Sequence, residues 1–226
     1  MLATTCFCSF GMISPGSLHL NYNLISSKFE VWRLASNLVF LGTFSFPFLM
    51  SLYIFVQYSN RYEVGPFDTG AGGTSADYAW MLSIATILLS VAGFVMGEPF
   101  MGQALSFMIM YVWSRKNPES MTSIFGFNFK ALYLPLVLIA FHMLIGNPLT
   151  QPIIGVITGH IYYFVHYIAP AQVGFEIIKT PRFIIEWFGG APVPVMGSGR
   201  PPPGAAPARP YAGHSWGTGG QVLGRN

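Results

Sequence analysis

Two stretches of this chain, Leu38–Val56 and Tyr78–Met96, contain no charged side chain. About 20 apolar residues in a row are what an α-helix needs to cross the hydrocarbon core of a bilayer. Lipid offers backbone polar groups no water, so only helices and closed barrels can occupy that space. Charged residues are 8% of the chain and hydrophobic residues 52%. A soluble domain carries about 25% charge. The composition therefore excludes an ordinary water-soluble surface and points to an all-α polytopic membrane protein. The aromatic share of 16% suits lipid contact and interfacial belts. No cofactor and no nucleic-acid partner are expected.

Six apolar segments follow one another. Leu2–Ile13 is short for a span; either its beginning is missing or it is a divergent short one. No basic residue precedes it and no clear cleavage site follows, so it reads poorly as a signal peptide. Cys6 and Cys8 lie within it as apolar filler, with no His, Asp or Glu nearby to complete a metal site. A polar-aromatic loop, Ser14–Arg33, leads to the second span, Leu38–Val56. A loop over Gln57–Ala76 leads to the third, Tyr78–Met96, which Gly97-Glu98-Pro99 turns. A short fourth, Phe100–Trp113, comes before Lys130–Ile145, interrupted by Pro135, and the sixth is Leu149–Ile168.

Basic residues orient these spans. Alternating the loops places Lys28 and Arg33 on one side. Arg61, Arg115, Lys116, the span-edge Lys130 and the C-terminal Lys179, Arg182, Arg200, Arg209 and Arg225 fall on the other. The richer side is cytosolic, so the tail is cytosolic and, with six spans, so is the N-terminus. Lys130 is expected to snorkel to that interface. Lys179, Pro181, Arg182 and Glu186 interrupt Val173–Phe188, which reads as an amphipathic segment on the membrane surface. From Gly189 onward Gly and Pro dominate, and a disordered tail is expected. The organisation is thus a membrane domain over 1–168, a surface segment over 169–188 and a tail over 189–226.

Several motifs carry chemistry. Gly155 and Gly159 form GxxxG, which lets two membrane helices approach closely. His160 directly follows, either bonded within the bundle or functional as an intramembrane ionisable group. His142, mid-span, either lines a polar cavity or bonds a neighbouring helix. Trp32 and Arg33 form an interfacial anchor or hold the preceding loop. With Ser36 and Asn37, Arg33 makes a polar strip that suggests a cavity opening to the non-cytosolic side. Trp216-Gly217-Thr218-Gly219-Gly220-Gln221-Val222-Leu223-Gly224 is either low-complexity tail or a docking box.

Taken in order, a series of stretches resembles the Derlins, rhomboid-like pseudoproteases of the endoplasmic reticulum. They are Ile13–Pro15, Phe29–Leu34, Gln57–Glu63, Gly65–Phe67, Ala76–Tyr78, Tyr111–Trp113, Phe129–Pro135, Gly155–Phe164, Thr180-Pro181 and Trp216–Gly224. The resemblance spans nearly the whole chain, although Derlins usually begin with a further short amphipathic segment. It implies a rhomboid-like six-helix bundle with a disordered cytosolic tail. The loop before the second span would fold sideways into the leaflet, held by Trp32 and Arg33.

A rhomboid protease needs a serine in Gly-x-Ser-Gly on its fourth span and a histidine on its sixth. Here Ser106 lies in Ala104-Leu105-Ser106-Phe107, and Pro152 stands three residues ahead of the GxxxG, where the histidine would be. The resemblance thus implies no enzyme. In the tail, Trp216, Gly217, Gly219, Leu223 and Gly224 match the box that recruits the valosin-containing AAA ATPase. Val222 replaces the usual arginine and removes a charge contact. Trp216 and Leu223 would be the anchors.

The implied function is ER-associated degradation: assisting retrotranslocation of misfolded proteins through a locally thinned membrane, with a membrane ubiquitin-ligase complex and further Derlin copies as partners. Two alternatives remain. One is an active intramembrane serine protease using Ser106, against which the missing histidine counts. The other is a small-molecule channel or transporter, against which the lack of a mid-membrane carboxylate and of an inverted repeat counts.

Overall fold

The computed structural model describes residues 1–124, 126–169 and 178–188. Its helices are α1 (Leu2–Ser9), α2 (Pro15–Leu18), α3 (Tyr22–Lys28), α4 (Arg33–Val39), α5 (Phe46–Glu63), α6 (Ser75–Met96), α7 (Gly102–Lys116), α8 (Leu134–Leu144), α9 (Thr150–Tyr163) and α10 (Arg182–Trp187). Between α7 and α8 lies an antiparallel hairpin of β1 (Met121–Ile124) and β2 (Phe127–Lys130). Its register sets Met121 opposite Lys130 and Ile124 opposite Phe127.

The third expected span is realised as α6, 22 residues long. Gly97 ends it in the left-handed conformation, at φ 71°, which glycine adopts without a Cβ penalty. Among the described residues, α6 alone is long and apolar enough to cross a bilayer. Ile87, Val91, Phe94 and Val95 on its outer face are exposed.

The other expected spans are redrawn. Leu38–Val56 is not one helix: α4 stops at Val39 and α5 begins at Phe46. Gly42 breaks the chain with φ 110°. Ser45 then caps α5, its hydroxyl accepting the Phe48 N–H at 3.3 Å, and Pro47 sits in the first turn, where its missing N–H costs nothing. Pro135 likewise starts a helix and does not interrupt one. It lies in the first turn of α8, after a 3₁₀ turn over Ala131–Tyr133. Leu2–Ile13 is α-helical only to Ser9. Leu149–Ile168 is α-helical to Tyr163, and Phe164–Ile168 continues as a π-turn.

Helix α7 occupies the interior. Every side chain from Ala104 to Ser114 is buried, the burial pattern of a helix covered on all sides. It packs most extensively against α9 and α5, with α4, α6 and α8 completing the shell. The Trp113 ring meets Tyr58 of α5 at 5.1 Å.

Hydrogen bonds sort the loops into two groups. Leu20 N–H donates to the Pro99 carbonyl at 2.8 Å and Met101 N–H to that of Asn37 at 3.2 Å, joining the loop before α4 and α4 itself to the α6–α7 turn. In the other group, Lys116 Nζ donates to the Gly65 carbonyl at 2.6 Å, Tyr58 Oη and Thr122 Oγ1 bond at 3.1 Å, and Thr180 N–H donates to Thr69 O at 2.7 Å. Lys130 ends β2 and pairs with Glu119 at 2.7 Å. The Glu119 hydrogen bond raises its pKa.

Candidate functional site

Gly155 and Gly159 lie where α9 crosses α7. A Cβ on Gly155 would stand 2.3 Å from the Ala104 carbonyl oxygen and 2.7 Å from Phe107 Cβ. One on Gly159 would stand 3.0 Å from Tyr111 Cδ1. The glycines let the two backbones touch. His160 bonds within this bundle: Arg115 Nε donates to Tyr111 Oη at 2.9 Å, and Tyr111 Oη lies 2.7 Å from His160 Nδ1.

The serine and histidines of a protease reading are engaged apart. Ser106, buried on α7, donates its hydroxyl to the Gly102 carbonyl at 3.1 Å. His142 bonds a neighbouring helix, and the small cavity it borders is mostly apolar. Its Nε2 is 3.4 Å from Gln103 Nε2 on α7, and it borders a cavity of about 20 Å³ beside Leu138 and Asn147. Pro152 is buried on α9.

Arg33 straps the loop over residues 14–33. It is buried at 6% exposure. Nε pairs with Glu30 at 2.5 Å, and Nη1 donates to the carbonyls of Gly16 and His19, both at 3.1 Å. Ser36 Oγ donates to Leu18 O at 3.1 Å. Asn37 Nδ2 donates to Arg33 O at 2.7 Å and Leu34 O at 2.8 Å. The polar strip thus turns inward on the backbone and does not line a polar cavity. Trp32, by contrast, is exposed. Beside this strap runs an apolar side cleft of about 220 Å³ between α3, α4 and α6, lined by Leu20, Tyr22, Ile25, Leu34, Val91 and Phe94.

One cluster has no counterpart among the expected site residues. Asp77, in the first turn of α6, is 1% exposed. Its Oδ1 accepts from Thr69 Oγ1 at 2.7 Å, Thr180 Oγ1 at 2.6 Å and Ala71 N–H at 3.2 Å. Its Oδ2 accepts from Gly73 N–H at 2.8 Å. The start of a helix also favours a carboxylate through its partial positive charge. The cluster pins Thr180 to the Gly65–Gly73 loop. Ile185 of α10 packs beside it on Ala71 and Ala76. Of the expected surface segment, the described part is therefore docked on α6, while Phe183, Trp187 and Phe188 stay exposed. Gly65–Phe67, Ala76–Tyr78 and Thr180-Pro181 had stood out separately; only folding brings them together. Trp216, Gly217, Gly219, Val222, Leu223 and Gly224, with the tail from Gly189, lie outside the described residues.

Comparison with known proteins fits this arrangement. The family model described as the Der1-like family matches residues 1–182. Derlin-1 of Arabidopsis thaliana is 36% identical over 198 residues, 84% of this chain and 73% of that protein. Derlin-1.2 of Zea mays is 33% identical over 219 residues, 92% of this chain and 88% of its own length. Derlin-1 of Mus musculus is 33% identical over 223 residues, 92% of this chain and 85% of that protein. The matched range, residues 1–182, takes in the α7–α9 crossing, the Arg33 strap and the Asp77 cluster, and the chain belongs to the Der1-like family.

Proposed function

We propose that this chain is a non-catalytic membrane component of ER-associated degradation that helps misfolded proteins leave the endoplasmic reticulum for the cytosol. The chain's place in ER-associated degradation and in the membranes of the endoplasmic reticulum follows from its family. The finer reading is a rhomboid-like bundle in which α1, α5, α6, α7, α8 and α9 are the six crossing segments. The two groups of loops support it, because they are the two groups that six alternate crossings require.

The observation that carries the mechanism is the shortness of α8, in the shell around α7. It has 11 residues. At 1.5 Å per residue it reaches about 16 Å, against a hydrocarbon core of about 30 Å. A bilayer meets such a helix by thinning, which shortens the apolar path a polar substrate must take. The side cleft beneath the Arg33 strap is the entry for a substrate segment. Ser106 is engaged by the Gly102 carbonyl and His160 by the Tyr111 hydroxyl, not by each other, so no peptide bond is cut. The tail residues Trp216, Gly217, Gly219, Leu223 and Gly224 recruit the valosin-containing-type AAA ATPase, which supplies the pull. A membrane ubiquitin-ligase complex and further Derlin copies complete the assembly. Both termini are cytosolic.

The test compares the full-length chain with Trp216→Ala and Leu223→Ala variants. Co-purification of the ATPase and the half-life of a misfolded lumenal protein are measured. Both variants are expected to lose the ATPase and to lengthen the half-life. Unchanged co-purification sinks the tether. An unchanged half-life in cells lacking the chain sinks the degradation role.

A further inference from the structure

Between α7, α8 and α9 runs a groove of about 380 Å³. Its wall is apolar, formed by Leu132, Leu136, Ile139, Val156, Ile157 and Ile161. Leu136, Ile157 and Ile161 are exposed along it. Its end is polar. Arg115 in the last turn of α7 and His160 in the last turn of α9 meet there across the Tyr111 hydroxyl. Arg115 Nε donates to Tyr111 Oη, which lies 2.7 Å from His160 Nδ1. In the tautomer where the tyrosine donates to Nδ1, the imidazole carries its proton on Nε2. Two sets of donors are left over: the terminal NH₂ groups of Arg115 and the His160 Nε2–H. Among the described residues the carboxylate ion pairs are Arg33–Glu30 and Lys130–Glu119, so Arg115 has no carboxylate partner there.

We propose that this groove seats an anionic glycerophospholipid drawn from the surrounding bilayer. The phosphate sits on the Arg115 guanidinium and the His160 Nε2–H, and the upper part of an acyl chain lies on the α8–α9 wall. Charge complementarity selects this occupant. A guanidinium matches phosphate oxygens in planar, paired geometry. Basic pockets between membrane helices on the cytoplasmic side hold anionic headgroups, and Arg115 lies on the side that the basic residues mark as cytosolic. From Ile161 to Val156 the wall extends about 7 Å along α9, room for the glycerol and the first methylenes. The inference needs α8 and α9 in the bilayer, as proposed above.

The full-length protein is reconstituted in nanodiscs of phosphatidylcholine with a minor share of phosphatidylserine, and its retained lipids are identified by native mass spectrometry. Phosphatidylserine is expected to be enriched over its bulk share. Arg115→Gln lowers that enrichment about fivefold, the weight of one basic side chain at an anionic surface. Ile157→Trp leaves every charge in place, fills the wall from an exposed position and also lowers it. Lys28→Gln, in α3 and outside the groove lining, leaves it unchanged. Enrichment that survives Ile157→Trp overturns the site, because diffuse charge attraction does not need the wall. Phosphatidylcholine retained without phosphatidylserine enrichment overturns the proposal alone. Retention of neither lipid overturns it together with the bilayer placement of α8 and α9.

Discussion

Replacing Gly155 by alanine is expected to destabilise the protein, while the same change at Gly159 is close to neutral. The Gly155 Cβ would lie 2.3 Å from Ala104 O and 2.7 Å from Phe107 Cβ, where ordinary contacts keep 3.4 Å or more. Both obstacles are fixed to the α7 backbone, so no side-chain rotation relieves them, and α9 must retreat by about 1 Å. Overpacking of this kind costs about 1–3 kcal/mol. Alanine's better helix propensity returns roughly 0.8–1 kcal/mol. A clash with backbone takes the upper part of the overpacking range, about 2–3 kcal/mol, so the net loss is on the order of 1–2 kcal/mol. At Gly159 the nearest atoms are Tyr111 Cδ1 at 3.0 Å and Met108 O at 3.2 Å. A shift of a few tenths of an ångström clears them, and the propensity gain offsets it to within about 0.5 kcal/mol. Unfolding in mixed micelles, followed by circular dichroism over a denaturing-detergent titration, measures both. A Gly155→Ala protein that unfolds no earlier than Gly159→Ala would refute the claim that α7 and α9 meet backbone to backbone at Gly155.

Asp77→Asn replaces a carboxylate that accepts four donors with an amide that adds donors of its own. A loss of roughly 1–3 kcal/mol is expected, with faster hydrogen exchange over residues 178–188; unchanged exchange there would count against the cluster as their anchor. Arg33→Gln removes the strap's charge, so exchange should rise over residues 14–33 and stay constant in α7 and α9. A rise spread evenly over the chain would mean that Arg33 supports the whole fold. Ser106→Ala should leave turnover of a misfolded lumenal protein unchanged, whereas a cleavage product that vanishes in this variant would restore the protease reading.

Much of the helical layout was legible in sequence because lipid imposes a simple rule on composition. α6 was read to within three residues at its start, since it has no charge and a glycine ends it. The break between α4 and α5 was not read, although its signs are local: Gly42, then Ser45 two residues before Pro47. Hydropathy scores these residues as part of an apolar run, whereas the backbone treats them as a stop and a cap. GxxxG was legible as close packing, but its partner was not, because nothing near Gly155 in sequence points to Ala104. Asp77 illustrates the harder limit. Its partners Thr69 and Thr180 lie 8 and 103 residues away, and an aspartate at a helix start already has a sufficient explanation as a cap. Nor does any local signal announce that Thr180 meets the Gly65–Gly73 loop, a pairing made by the Thr180 N–H on the Thr69 carbonyl.

The Asp77 cluster also decides where the molecule bears load. In chain order Thr180 stands between the end of α9 and everything beyond Phe188. Tension applied from the C-terminal side therefore reaches the clasp of Thr180, Thr69 and Asp77 before it reaches α9. The clasp is anchored to α6, the longest of the described helices, and not to the tight α7–α9 contact. It works as a cable clamp does: load entering at Phe188 passes into α6, while the α7–α9 joint, with its ångström tolerances, is left unstressed.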